Sequence, residues 1–240
     1  MNFRFISLYA WITGTTAIKR GFSYTLGYMI TPLALLFLFG IISGGALIPL
    51  AVIGGLISVT ATGALYGLSD AAMNRIELKL QDLFVATDIS VLDYMLAISF
   101  SNLIFSMPGI LVYIVIVLFM HLLPALWLIA IAPILVLLAV SVSAISLILA
   151  SIPRHLRNVW GFLGILTVVF TFIPPLFYKY TALAKPLLYI FMLSPVTSAA
   201  IMVQNMAGLT PFLWYAPIVL VVETAVYFAI AKPLTQWRTK

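Results

Sequence analysis

Glu223 stands apart from the other carboxylates of this chain. Only six of the 240 residues are Asp or Glu, and Glu223 alone sits well inside a long apolar run. A carboxylate near the centre of a bilayer costs about 2.5–3.5 kcal/mol or more, so it marks a demand of function or of packing. Three environments would meet that demand: a polar substrate path, a basic group at the membrane rim, or a protonated state bonded to Ser, Thr or Tyr. Catalysis would need a second polar group within reach, and the sequence offers few. His121 and His155 fall at opposite membrane ends, so they cannot share a metal ion. There is no cysteine, hence no thiolate site or disulfide. Neither a Gly-x-Ser-x-Gly nucleophile turn nor a Gly-x-x-x-x-Gly-Lys-Ser/Thr phosphate loop occurs. An enzyme is the least supported class.

The second pattern with chemical content lies at residues 75–86. Ile76, Leu80, Leu83 and Phe84 follow i, i+4, i+7 and i+8, while Arg75, Lys79 and Asp82 line another face. This spacing predicts an amphipathic helix of about three turns. Ser90-Val91-Leu92-Asp93 then offers a capping box that starts the next helix. A short helix across the end of two spans can pass force to them; the plain alternative is an interfacial helix without a partner. At the N-terminus Phe5, Leu8, Tyr9, Ile12 and Thr16 gather on one side of a helical projection, with Arg4, Ser7 and Thr15 on another and Trp11 blurring the edge. Residues 1–21 read as an interfacial helix anchored by Lys19 and Arg20.

The elements that position these residues follow from composition. Hydrophobic residues make up 64% of the chain and charged ones 8%, with mean hydropathy +1.22. Soluble domains carry roughly 25% charged residues, so a soluble enzyme or nucleic-acid module is excluded. Six runs approach the ~20 apolar residues that cross a bilayer: 22–43, 46–69, 94–120, 124–150, 159–177 and 210–231. Their continuity favours helices over barrel strands. The predicted class is an all-α integral membrane protein, with 22–240 forming a six-helix domain. With the N-terminus in the cytoplasm, ten Lys and Arg fall inside and only Lys179 and Lys185 outside. This bias puts both termini in the cytoplasm. Segment 178–209, half apolar and interrupted by Pro186 and Pro195, reads as short helices dipping into the outer leaflet, with Ser194-Pro195 as a helix start. Gly40…Gly44 and Gly63…Gly67 are close-packing pairs, more readily explained by contacts within the chain than by a dimer or gate.

The run Asp82-Leu83-Phe84-Val85-Ala86-Thr87-Asp88-Ile89-Ser90 resembles the coupling-helix element of ABC-2 type transporter permeases. Leu193-Ser194-Pro195-Val196-Thr197 is similar to that family's Leu-x-Pro-aliphatic-Thr element before the last span. Two departures stand out: Glu77-Leu78-Lys79-Leu80-Gln81 lacks the family's Gly-Thr, and Asp88 replaces a common turn proline. The resemblance implies a membrane subunit of an exporter in the cell membrane. It implies a homodimer among membrane lipids, no nucleic acid, and a separate nucleotide-binding ATPase subunit on the cytoplasmic face. ATP and Mg would be bound by that partner, with no cofactor in this chain. It assigns ATPase coupling to 75–87, with Leu80, Leu83 and Phe84 as apolar anchors, Glu77, Lys79 and Asp82 as charged rim, and Thr87 in the turn. Substrate-path candidates are Glu223, Phe170 and Phe172, the last two beside the Pro174-Pro175 break. The low charge of the bundle favours an apolar or amphipathic cargo. The alternative is an ion-coupled carrier or channel without an ATPase.

Overall fold

A computed structural model describes residues 1–87 and 89–235, Phe22 by its backbone alone. Asp88, read as part of a turn, and Arg238 and Lys240, counted among the inside charges, lie outside the described residues. Among those described, all regular structure is helical. The helices are α1 (Phe3–Arg20), α2 (Phe22–Ile42), α3 (Ile48–Leu65), α4 (Gly67–Ile76), α5 (Leu80–Val85), α6 (Val91–Phe119), α7 (Trp127–Ala150), α8 (Leu156–Phe172), α9 (Lys185–Phe191), α10 (Pro195–Met206) and α11 (Ala216–Leu234). Five spans are long and apolar enough to cross a bilayer: α2, α3 continued by α4, α6, α7 and α11. Counting the bent pair α9–α10, which meets at 114°, makes up to six. The chain is a membrane-embedded, multi-pass helical protein.

The predicted fifth span, 159–177, is a shorter helix, α8, which ends at Phe172 after 17 residues. Pro174-Pro175 explains the stop, since consecutive prolines remove the donors a helix needs. The carbonyls so released are collected by side chains. Gln204 Nε2 donates to Pro175 O at 2.7 Å, Leu176 O at 3.4 Å and Tyr178 O at 3.3 Å, and the Tyr178 hydroxyl donates to Ile173 O at 2.6 Å. Irregular backbone at membrane depth is tolerated only when satisfied in this way. At the expected helix start, Ser194 precedes Pro195, but the turn is closed by Thr197 N–H donating to Ser194 O rather than by the serine side chain.

The centre of the bundle is α3 and its continuation. Eighty-nine per cent of this span's most apolar stretch is buried, against 22% in α2 and 17% in α11. Such burial requires close helix approach. A Cβ at Gly63 would overlap Ser106 and one at Gly67 would overlap Asn102, so this glycine pair packs on α6 within the chain. Gly44 and Gly45 do something else: both have positive φ, +56° and +97°, in the turn that leads into α3. Polar side chains join the central helices, with Asn102 Nδ2 donating to Ala64 O and Ser143 Oγ, and Ser146 Oγ donating to Ala64 O.

Helix α1 packs lengthwise on the first part of α6. Asn2 N–H donates to Asp93 Oδ1 at 2.8 Å, while a Cβ on Gly14 would stand 2.7 Å from Ser101 O and 2.9 Å from Ile104 Cβ. The two helices therefore run in the same sense over this stretch. The buried stripe of α1 is Ile6, Ala10 and Gly14. On the apolar side of the projection, Leu8 and Ile12 are exposed, as is Trp11. Small residues let a neighbouring backbone approach, whereas lipid accepts large apolar side chains, so hydrophobicity does not mark the buried side here. The Ser90–Asp93 capping box forms as expected, Ser90 Oγ accepting from Asp93 N–H and Asp93 Oδ2 accepting from Ser90 N–H.

Candidate functional site

Arg75 bonds the connection that carries Arg154, Gln81 bonds Thr235 just past Lys232, and Arg20 shares a cavity with Met73 and Leu156, so these cations mark one end of the bundle, here the basic end. At that end the predicted helix over 75–87 is an elbow rather than one rod. Helix α4 closes when the N–H groups of Glu77 and Leu78 both donate to Met73 O, and Lys79 turns the chain with φ +50° before the six residues of α5. The i, i+4, i+7 and i+8 spacing suits either shape, which is why the sequence suggested a continuous helix. The break has a visible cause in the ties on either side. The Arg75 guanidinium donates to Ser151 O at 2.7 Å and Pro153 O at 2.5 Å, holding the end of α4 to the α7–α8 connection. Gln81 Nε2 donates to Thr235 O at the end of α11.

Phe84 forms the third tie. Its ring lies 5.4 Å from Phe5, 6.1 Å from Tyr9 and 5.7 Å from Tyr94. Asn74 Nδ2 donates to the Tyr9 hydroxyl at 2.9 Å. Burial, with the Asp70 carboxylate adding to it, pushes the Tyr9 phenol up to about 12, so it remains neutral. Phe84, half-buried, therefore packs on α1 and α6, unlike Leu83. Leu80 is half-buried at the start of α5. The outward surface consists of Glu77, Lys79, Asp82, Thr87 and Leu83, the last 58% exposed, joined by Leu78. Sequence reasoning missed Leu78 and the tying roles of Asn74, Arg75 and Gln81. Arg75 carried a readable hint, a cation in the last turn of a helix, but its target on a distant loop did not.

Glu223 is only 7% exposed, in the seam between α10 and α11. Ser198 Oγ donates to its Oε2 at 3.0 Å. Its Oε1 has no partner among the described residues, and the same holds for Thr197 Oγ1 and Ser194 Oγ. One turn along, the Tyr227 hydroxyl donates to Leu193 O, and Thr224 Oγ1 shares a 2.6 Å bond with Ser141 Oγ. Ser198 thus gives this carboxylate a hydroxyl partner, and among the described residues no basic group bonds it. Phe170 is 9% exposed and belongs to the central core, whereas Phe172 is 48% exposed and lines a cavity of about 610 Å³ with Phe39 and Phe177. Glu223 thus lies in the α10–α11 seam, Phe170 in the central core and Phe172 at that cavity. Among the described residues no three His, Asp or Glu side chains converge as a metal site. No protein-family model and no curated protein matches the chain.

Proposed function

We propose that this chain is the membrane subunit of an ATP-driven exporter of the ABC-2 permease type, acting as a homodimer with a separate nucleotide-hydrolysing subunit. One observation carries the reading. The α4–α5 elbow touches α1 and α6 through Phe84, the α7–α8 connection through Arg75 and the end of α11 through Gln81, while turning Glu77, Leu78, Lys79, Asp82 and Leu83 outward. A motor pressing on that outward surface would act on most of the bundle at once. In this reading the basic end faces the cytoplasm, α8 is the fifth of six spans, and α9–α10 form a re-entrant pair before the last. The cargo is hydrophobic or amphipathic, and ATP and Mg belong to the partner.

The experiment uses the absence of native cysteine. A Leu83→Cys chain carrying a short photo-crosslinker is expected to capture a nucleotide-hydrolysing subunit in native membranes. Leu83→Asp is expected to abolish co-purifying ATPase activity while leaving the protein inserted. Retention of that activity in Leu83→Asp, or cargo movement by the purified chain without ATP, overturns the proposal. A second reading, an ion-coupled carrier, draws on the unpartnered Oε1 of Glu223; transport driven by an ion gradient without ATP would select it.

A further inference from the structure

At the basic end, α1, α2, α4, α6 and α8 line a cavity of about 340 Å³. That volume lies in the ~300–1,000 Å³ range of small-molecule sites. Four aromatic side chains line it. Tyr24 stands 6.2 Å from Tyr66 and 5.9 Å from Trp160, centroid to centroid, and Tyr66 stands 5.9 Å from Phe105. Two charged side chains also line it, Asp70 from α4 and Arg20 from the end of α1. No ion pair joins them, and among the described residues no hydrogen bond reaches the Asp70 carboxylate. The groups in electrostatic reach of that carboxylate, Tyr9 and Tyr94, are phenols and bring no positive charge. A half-buried carboxylate without a donor at the edge of a bilayer is expensive to hold. A cation would relieve it, and aromatic faces within about 6 Å favour ammonium groups in particular.

Arg20 narrows the choice. A purely cationic ligand would meet repulsion from the guanidinium, and a purely anionic one would meet repulsion from Asp70. A headgroup carrying both charges satisfies both, the guanidinium being suited to bidentate phosphate contacts. Tyr24 and Trp160, each 46% exposed, form the outer wall, and beyond it Leu26 and Ile30 of α2 face outward as an apolar track for a chain. We propose that this cavity binds the phosphate–ammonium headgroup of a zwitterionic amphiphile, the ammonium at Asp70 against the Tyr24, Tyr66 and Trp160 rings and the phosphate at Arg20. Such a site does not depend on what drives the protein.

The test uses the full chain in nanodiscs of phosphatidylglycerol, a lipid without an amine. Binding of radiolabelled hexadecylphosphocholine is measured above that of empty nanodiscs. Saturable binding is expected, weakened roughly tenfold or more in Asp70→Asn and in Arg20→Gln, as befits loss of a charge-assisted contact. Hexadecyltrimethylammonium and hexadecyl phosphate are expected to compete roughly tenfold more weakly than hexadecylphosphocholine, and soluble phosphocholine not at all. Lys185→Gln, exposed and outside the cavity, is expected to bind as wild type. Because Asp70→Asn could disturb folding, Trp160→Ala at the exposed wall gives an independent arm, also expected to weaken binding. Unchanged binding in Asp70→Asn and Trp160→Ala overturns the proposal, as does equal competition by either singly charged amphiphile. Equal competition by soluble phosphocholine overturns the assignment to an amphiphile.

Discussion

Replacing Phe84 by alanine should release the α5 elbow without unfolding the bundle. The ring meets Phe5, Tyr9 and Tyr94. Truncating a fully buried phenylalanine costs about 3–5 kcal/mol. Phe84 is half-buried, which brings the figure to about 2 kcal/mol, with aromatic pair terms of ~0.5–1.5 kcal/mol already partly counted in it. That energy corresponds to about a thirtyfold rise in the local opening constant. Arg75 and Gln81 still hold the flanks, so the loosening is confined to residues 80–87. Hydrogen–deuterium exchange in nanodiscs reads this directly: amides of 80–87 should exchange about thirtyfold faster while α3 and α7 stay protected. Leu83→Asp is the matched control, because its side chain lies outward and contributes little to the elbow. Wild-type exchange in Phe84→Ala, or equal acceleration in Leu83→Asp, would refute the division into an inward and an outward residue.

Two further substitutions examine the packing of α1 and the seam at Glu223. Gly14→Leu forces a side chain into the backbone of α6, at a cost of about 1–3 kcal/mol, so the melting temperature should fall and residues 1–21 should become protease-sensitive. Leu8→Ala on the lipid-facing side should change stability by no more than about 0.5 kcal/mol. Glu223→Gln keeps an acceptor for Ser198 and should melt close to wild type. Glu223→Leu leaves the Ser198 hydroxyl unpaired at a cost of about 1–3 kcal/mol, visible as a lower melting temperature.

Span positions were legible because length and apolarity are one-dimensional properties. Helices α2, α6 and α7 begin and end within three residues of the runs that announced them. The capping box at Ser90 was legible for a similar reason, since its partners are three residues apart. What the sequence hid was direction. In a lipid-facing bundle the outer surface is as apolar as the core, so the apolar projection of α1, with Leu8 and Ile12, did not disclose that Ile6, Ala10 and Gly14 pack on α6. Glycine spacing carried the better signal at Gly63 and Gly67. The elbow at Lys79 was hidden because a bend leaves an amphipathic repeat almost unchanged. Long-range ties such as Arg75 to Ser151 and Gln204 to Pro175 join residues whose separation no local pattern records.

The shortness of α5 has a mechanical consequence. A helix of six residues cannot hold itself in isolation, because nucleation costs more than so few bonds return. Its form is imposed by Phe84, Gln81 and the clamp that Arg75 places on the neighbouring connection. These three ties lead to different parts of the bundle: α1 and α6, the end of α11, and the join of α7 with α8. Helix α4, moreover, continues α3, the most buried element of the fold. Load applied to the outward side of α5 therefore cannot be absorbed by local unravelling alone; it is divided among elements on several sides of the central helix. Cutting one tie should change how that load is shared while the other two persist, so the three ties should act non-additively in combined variants. A merely decorative loop would give additive effects.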